Sequence, residues 1–132
     1  MSRIIILKSD KKVISNMQKY IITGKNSQET AASMLNKPQN RRKVTDPLAK
    51  AFGAEFVEFL YLNHPEFDFM CVVMAKKDED IAAVTNLIYA SGAFTTFNWY
   101  RAFEAEEWKN VFQLASNNMA SYISAKQKAE ED

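Results

Sequence analysis

His64, Glu66 and Asp68 are the residues of this chain whose types and spacing best suit acid–base chemistry. A histidine beside a carboxylate can transfer a proton or help to hold a metal ion. The sequence contains 1 histidine, however, whereas strong metal motifs need two histidines at i, i+4 or several Cys and His at fixed spacing. We therefore expect no metal site. The pattern favours a hairpin-turn role for His64 and a turn or interface hydrogen bond for Asp68.

A second group of candidates lies in the strand-like run over residues 94–101. Alternation places Thr96, Asn98 and Tyr100 on one face; the other face carries Thr95, Phe97, Trp99 and Arg101. Polar groups among aromatic rings orient ligands in pockets, although they also occur, hydrogen-bonded, in ordinary cores. Because one residue of register error would exchange the faces, the sequence does not decide which face lines a cavity. The ligand-binding candidates are Tyr61, His64, Asp68, Asn98, Trp99 and Tyr100.

A third candidate site is basic and consists of Lys37, Arg41, Arg42 and Lys43. Arg41 and Arg42 are the candidates to bind an anion near the start of a predicted helix. Positive side chains at this terminus oppose the helix dipole, which makes the cluster a mild anomaly. A solvated segment or a contact across subunits is the more ordinary explanation. None of these patterns identifies a catalytic residue.

Three predicted strands, residues 54–63, 66–76 and 94–101, are apolar on both faces. In the first strand, alternation places Phe56, Leu60 and Leu62 on one face, and Val57, Phe59 and Tyr61 on the other. In the second strand, it places Phe67, Phe69, Cys71 and Val73 on one face, and Met70, Val72 and Met74 on the other. The connection at 63–66 is short enough only for an antiparallel hairpin, and residues 19–23 predict a further core strand. Since both faces need cover, we expect a second subunit on the face that the helices leave bare.

The helices are predicted from caps and apolar spacing. Ser27 is an N-cap for residues 27–36, and a second helix spans 40–52 with a kink or break after Asp46, because Pro47 follows. The buried stripe predicted for that second helix is Val44, Leu48, Ala51 and Phe52. Acidic residues begin a third helix at Asp78, which buries Ile81, Val84 and Ile88. A long helix over 104–128 places Trp108, Val111, Phe112, Ala115, Met119, Tyr122 and Ile123 on one side.

The element order is β-α-β-β-α-β with an added C-terminal helix. This order predicts an α+β chain with the split βαβ arrangement of ferredoxin-like folds, in which both connecting helices cover the same sheet face. We interpret residues 1–16 as an N-terminal extension, with a strand at 3–8 that could close a sheet edge within or between subunits. Residues 17–128 form the domain, and residues 129–132 are a polar tail.

Composition excludes several classes of protein. The chain has 132 residues, 47% of them hydrophobic and 25% charged, and its net charge is +1. This balance fits one globular domain and gives no long-range field to attract nucleic acid or an anionic membrane. No apolar run reaches the roughly 18–20 residues of a membrane span. The single cysteine, Cys71, reads as a core residue and forms no intramolecular disulfide, so we expect a cytoplasmic protein.

Several segments together resemble the GYD-domain family over roughly three-quarters of the chain. They are residues 17–22, Arg41-Arg42, Phe59-Leu60-Tyr61 leading to Glu66-Phe67-Asp68-Phe69, and residues 90–96. The eponymous turn differs, since Pro65-Glu66-Phe67-Asp68 replaces its glycine with proline and its tyrosine with phenylalanine while keeping the aspartate. The resemblance implies a dimeric α+β barrel, made by packing two open sheet faces together, and it brings no activity.

Two functions are compatible with these observations. The favoured one is a small homodimer, or higher homo-oligomer, that binds a small ligand or a protein partner without a cofactor and without catalysis. The alternative is a cofactor-free oxygenase or isomerase that acts on an apolar or aromatic small molecule in the barrel cavity. In that enzyme, Asn98, Trp99, Tyr100 or His64 would position the substrate. The alternative rests on analogy with other proteins of the fold.

Overall fold

The computed structural model describes residues 16–131, and the chain divides into two compact units between Ala102 and Phe103. The strand predicted at 3–8 lies outside the described residues. The first unit contains β1 (Gln18–Asn26), α1 (Gln28–Asn36), α2 (Arg41–Ala51), β2 (Glu55–Tyr61), β3 (Phe69–Ala75), α3 (Asp78–Ala90) and β4 (Phe94–Ala102). The second contains α4 (Ala105–Ser116), a 3-10 turn (Met119–Ser121) and α5 (Ala125–Glu131).

The four strands form one antiparallel sheet in the order β2-β3-β1-β4. The two central strands are therefore β1 and β3, and Ile22 of β1 lies opposite Cys71 on one side and Trp99 on the other. This strand order and the element order confirm the predicted α+β, ferredoxin-like split βαβ fold.

The core lies on one face of the sheet. Its buried residues from the central strands are Tyr20, Ile22, Phe69, Cys71, Val73 and Ala75, and α2 and α3 contribute Ala49 and Ile81. The other face of the same strands carries Ile21, Met70, Val72 and Met74, which are half-buried. The prediction that Phe69, Cys71 and Val73 oppose the two methionines and Val72 is confirmed.

Strand β2 departs from strict alternation. Its register against β3 shifts between Phe56 and Glu58, so that Phe56 lies opposite Val73 and Phe59 lies opposite Cys71. Both phenylalanines therefore lie on the core face. The prediction that separated Phe56 from Phe59 is wrong, because a bulge adds one residue and reverses the alternation beyond it.

Helices α1 and α2 begin where the sequence predicts. Ser27 Oγ accepts a hydrogen bond from Thr30 N at 3.1 Å, and Asn40 Oδ1 accepts one from Lys43 N at 3.2 Å. The predicted buried stripe of α2 is wrong, since its buried residue is Ala49, whereas Val44 is 53% exposed. The helix continues through Pro47, so it is not broken after Asp46. The missing N–H of Pro47 costs one hydrogen bond within the helix, which persists on both sides of it.

The first turn of α3 is tied to the centre of the sheet. Tyr20 has no exposed surface, and its Oη donates to Asp78 Oδ1 at 2.6 Å, with Gln18 Oε1 also 2.6 Å away. The Tyr20 ring meets Trp99 edge-on with a centroid separation of 5.9 Å. Burial, followed by the bond to Asp78, raises the pKa of Tyr20. Tyr20 therefore connects β1, β4 and α3 as a neutral donor.

The second unit differs from the predicted long helix. Helix α4 ends at Ser116, and α5 begins at Ala125. Asn117 and Asn118 lie at the break, where Asn118 Nδ2 donates to Leu114 O at 3.1 Å and Asn117 Oδ1 accepts from Gln113 Nε2 at 2.9 Å. Asparagine side chains compete for backbone partners and favour helix ends, which explains the interruption. The residues predicted to form one apolar side remain largely exposed, as Phe112 at 66% illustrates.

No helix within residues 16–131 combines the length and the apolar character needed to cross a membrane.

We predict that Tyr20→Phe lowers the free energy of unfolding by about 1–2 kcal/mol, because the hydroxyl bond to a carboxylate is lost while the ring packing remains. The matched control is Tyr89→Phe, which removes a hydroxyl from a 51% exposed side chain on α3 and should change stability by less than about 0.5 kcal/mol. Urea denaturation followed by circular dichroism measures both. Equal effects of the two substitutions would mean that the bond to Asp78 contributes no net stability.

Candidate functional site

A cavity of about 560 Å³ lies between the core face of the sheet and the three helices of the first unit. This volume is within the usual range of small-molecule sites. The lining residues from the strands and their ends are Ile22, Asn26, Phe56, Phe59, Tyr61, Phe69, Cys71, Ala93, Phe94 and Phe97. Those from the helices and helix connections are Glu29, Thr30, Ser33, Met34, Gln39, Arg41, Thr45, Leu48, Leu87, Ile88 and Ser91.

Phenylalanine rings form the floor of the cavity. Phe69 is 5% exposed and lies at the centre of the cluster, with ring centroids 5.8 Å from Phe59, 5.3 Å from Phe94 and 5.9 Å from Phe97. Phe56 extends the cluster along β2, 5.5 Å from Phe59. Tilted and offset rings at these separations are favourable pairs, so the floor is an apolar and well-packed surface.

Gly24 allows this cluster to form. A Cβ atom at this position would lie 2.7 Å from Phe69 Cε1 and 2.9 Å from Phe97 Cδ1, both closer than van der Waals contact. In the sheet, Phe69 and Phe97 are the two residues directly opposite Gly24. The absence of a side chain on β1 is therefore what lets the two rings approach each other across the central strand.

Asp68 fixes the loop at this end of the sheet. Its Oδ2 accepts from Asn26 N at 2.8 Å, its own N–H donates to Gly24 O at 2.7 Å, and Lys25 Nζ lies 4.0 Å from Oδ1. Its carbonyl accepts from Leu62 N at 2.8 Å. These bonds hold the hairpin between β2 and β3 against the end of β1, which is a structural role.

A groove of about 510 Å³ continues the cavity around the start of α2. Its lining residues are Pro38, Gln39, Asn40, Arg41, Arg42, Phe59 and Tyr61. Four of these, Gln39, Arg41, Phe59 and Tyr61, also line the cavity. Arg41 Nη1 donates to Gln39 Oε1 at 2.7 Å, and Arg42 Nη2 donates to Phe56 O at 3.2 Å. The two spaces therefore share a boundary that carries a guanidinium group.

The structure brings three of the sequence-derived candidates together. Tyr61 and Arg41 line both spaces, and Arg42 lines the groove. His64 instead lies in the hairpin loop, where its ring stacks on Phe67 at 4.1 Å and its Nδ1 accepts from Glu66 N at 3.0 Å.

The remaining candidates on β4 lie away from the cavity lining. Trp99 is on the core face but packs against Tyr20 at the other end of β1. Asn98 and Tyr100 lie opposite Thr23 and Ile21, on the face that the core does not occupy. The cavity is therefore on the Phe97 face of β4, which settles the choice between faces that the sequence left open.

Several lining residues were not candidates from the sequence. Thr30 and Ser33 come from α1, Gln39 precedes α2, and Thr45 lies within it. Helical spacing puts Thr30 and Ser33 on one side of α1, so the polar side of that short helix was the available signal. Nothing in the sequence indicates how far the helix stands from the sheet.

Two acidic groups of the cavity wall are held in their protonated forms. Burial raises the pKa of the Cys71 thiol to about 12, while Arg42 acts weakly in the opposite direction. Burial likewise raises the pKa of Tyr61, against the effect of Arg41. Within residues 16–131, no group of three or more His, Cys, Asp or Glu side chains is placed to hold a metal ion.

We predict that the Cys71 thiol of the native protein reacts with iodoacetamide at least about a hundredfold more slowly at pH 8 than that of the denatured protein. A pKa raised from 9.0 to about 12 lowers the thiolate fraction about a thousandfold at this pH. The native rate should keep rising above pH 9, where the denatured rate levels off. Mass spectrometry of timed samples measures both, and a native rate that levels off near pH 9 would contradict the prediction.

Comparison with known proteins gives a family and a likeness to solved structures. No curated protein matches the chain in sequence. The solution structure of the C-terminal domain of the MgtC protein from Mycobacterium tuberculosis is similar with a TM-score of 0.47 and 6% identity, over 68% of this chain and 93% of that one. The family model of the GYD domain matches residues 20–112, a segment that contains the whole cavity lining. The chain therefore belongs to the GYD-domain family.

Proposed function

We propose that this GYD-domain protein is a homodimeric binding protein whose cavity takes a small, largely apolar or aromatic molecule. The observation that carries the proposal is the floor of five phenylalanine rings beneath a cavity of about 560 Å³. Ligand sites typically combine such an apolar wall with a few polar groups that orient the ligand. Here Asn26, Thr30, Ser33 and Gln39 would supply those groups.

Approximate binding free energies indicate how the phenylalanine rings and the polar rim of the cavity would each contribute to ligand binding. A two-ring ligand that buries about 300 Å² of apolar surface gains roughly 7 kcal/mol at about 25 cal/mol per Å². Association cancels about 4 kcal/mol or more of this gain through lost translational and rotational freedom. The rings alone would therefore give weak binding, and the polar rim would decide affinity and orientation.

The positions of the titratable groups favour binding over catalysis. The titratable side chains in the cavity lining are Glu29, Arg41, Tyr61 and Cys71. Tyr61 and Cys71 are protonated at neutral pH, because desolvation moves the pKa of each further above its ordinary value, and Arg41 cannot act as a base. His64, the general base that an oxygenase or isomerase could use, is engaged with Glu66 and Phe67 in the hairpin loop. A cofactor-free enzyme is therefore the less supported alternative.

The second part of the proposal is the homodimer. The helices of the first unit contribute to the core on one sheet face, and the opposite face carries Ile21, Met70, Val72 and Met74 on the two central strands. Half-buried apolar side chains in a row of this kind suit a self-complementary contact between two copies. We propose that the faces pack together and bury on the order of 1,200–2,000 Å² in total. A cytoplasmic location is proposed with it, since the buried Cys71 is a free thiol.

We predict that the neutral dye N-phenyl-1-naphthylamine gains fluorescence when the protein is titrated into it, and that Ser33→Trp lowers the initial slope about tenfold. Ser33 lines the cavity, so the larger ring would occupy space that the dye needs. The matched control is Ala32→Trp, which adds the same ring to an exposed neighbour on α1 outside the lining and should leave the slope unchanged.

Phe97→Leu supplies a second variant in case the new tryptophan turns towards solvent, because it removes a ring from the floor itself. Circular dichroism checks that each variant is folded. A dye response that is absent, or that none of the lining substitutions changes, would contradict binding in the cavity.

We predict that the protein sediments as a dimer at micromolar concentration, and that Ile21→Lys shifts it towards monomer by at least about tenfold in dissociation constant. Ile21 lies opposite Val72 and Tyr100, so a lysine there would bury a charge with no carboxylate directly across either strand. Leu35→Lys is the control, since Leu35 is 83% exposed on α1 and should not affect association. Analytical ultracentrifugation distinguishes the outcomes, and a monomeric native protein would contradict the proposal.

A further inference from the structure

The positive charge of the cavity lies at one end. Away from the groove, the lining includes rings, small polar side chains and the carboxylate of Glu29. Towards α2, it opens into the groove, whose charged side chains are Arg41 and Arg42. Glu29 lines the cavity from the first turn of α1 and does not line the groove. The positive charge is therefore concentrated where the two spaces meet.

Neither guanidinium has a carboxylate partner among residues 16–131. Arg41 Nη1 donates to the amide oxygen of Gln39, and Arg42 Nη2 donates to the carbonyl of Phe56. Arg41 is half-buried beside Phe59 and Tyr61, which limits the water that can reach it. A guanidinium group that is partly withdrawn from water and bonded only to neutral oxygens keeps most of its capacity to bind an anion.

The whole first turn of α2 carries an excess of positive charge. Its residues are Arg41, Arg42 and Lys43, and it contains no acidic side chain. Cations at a helix N-terminus are slightly unfavourable, since the helix dipole already places positive charge there. A bound anion would offset this repulsion.

We propose that the ligand of the cavity is an amphipathic anion, with an apolar or aromatic body on the phenylalanine floor and a carboxylate in the groove beside Arg41 and Arg42. The inference rests on the proposed function and names its ligand class. A planar guanidinium pairs with a carboxylate through two parallel hydrogen bonds, which would fix the direction in which the body enters. The body would then extend over Phe59 towards Phe69 and Phe97.

The charges of both arginines reach the cavity wall. Burial is the main influence on the pKa values of Tyr61 and Cys71 and raises both, but Arg41 acts to lower the first and Arg42 the second. A ligand carboxylate in the groove would experience the same favourable potential from the two arginines. Because the groove is open to solvent, this carboxylate would not pay the full desolvation cost of an enclosed charge.

The test compares two dyes that have the same rings. N-phenyl-1-naphthylamine is neutral, and 1-anilinonaphthalene-8-sulfonate carries one sulfonate, which stands in for the carboxylate of the ligand. We expect the sulfonate dye to bind about tenfold more tightly than the neutral dye, as one charge-assisted pair at a partly exposed site would produce. The difference should shrink as salt is raised, because the charges are screened.

The variant for this test is Arg41→Gln combined with Arg42→Gln, which keeps the groove polar and removes its charge. The matched control is Lys43→Gln, which removes one charge from the same turn of α2 at a position that lines neither space. We expect the double variant to weaken the sulfonate dye to the affinity of the neutral dye. The control should leave both affinities unchanged.

Three different failures can be distinguished. If both dyes bind equally, or if the double variant affects them equally, the anionic ligand class is overturned while an apolar ligand remains compatible with the data. If neither dye responds to Ser33→Trp or Phe97→Leu, the cavity is not a binding site, and both proposals are overturned. If Lys43→Gln weakens the sulfonate dye as much as the double variant does, general surface charge explains the preference, and the inference is also overturned.

Discussion

The decreasing size of the inward side chains along β1 determines where the first unit is closely packed and where it contains a cavity. Three buried residues of β1 that face the core are Tyr20, Ile22 and Gly24, in order along the strand. Tyr20 fills the space beneath the start of α3, and its hydroxyl reaches Asp78. At Gly24 there is no side chain, and the rings of Phe69 and Phe97 approach the strand instead. The two rings are tilted by 46° to each other, and both line the cavity beneath the helices.

The two ends of β1 therefore contribute differently, one to stability and the other to the cavity. Around Tyr20, the close packing of Val73, Ile81 and Trp99 supplies apolar burial and thus stability. Around Gly24, the same sheet carries a surface that is apolar but incompletely covered, and a space of this kind is stable only because the surrounding elements are held apart. Asp68 contributes to that support, since it fixes the hairpin loop to the backbone of β1 through bonds to Gly24 and Asn26.

Much of the fold could be predicted from local pattern, whereas the site could not. Alternation in β3 and the Ser27 cap gave the correct elements, because each depends on neighbours in the sequence. The bulge after Phe56 was missed because one added residue reverses an otherwise regular alternation. The break at Asn117 was missed because the apolar spacing continues past it, although two asparagines there favour a helix end. The cavity depends on a distance between α1 and the sheet, and no periodicity encodes it. Arg41 and Arg42, which line the groove, were nevertheless candidates from the sequence, because an excess of positive charge at a helix start is visible without coordinates.

The two faces of the sheet separate the two proposed associations from each other. On β1 and β3, residues that face the cavity alternate with residues that face the opposite side, so Cys71 lines the cavity while Met70 and Val72 do not. A side chain on one face can therefore change without touching the other. The strands themselves are shared, however, so coupling between a partner on the open face and a ligand in the cavity would have to pass through their backbone. At Gly24 a displacement of β1 would act directly on the rings of Phe69 and Phe97, because no side chain separates them from the strand.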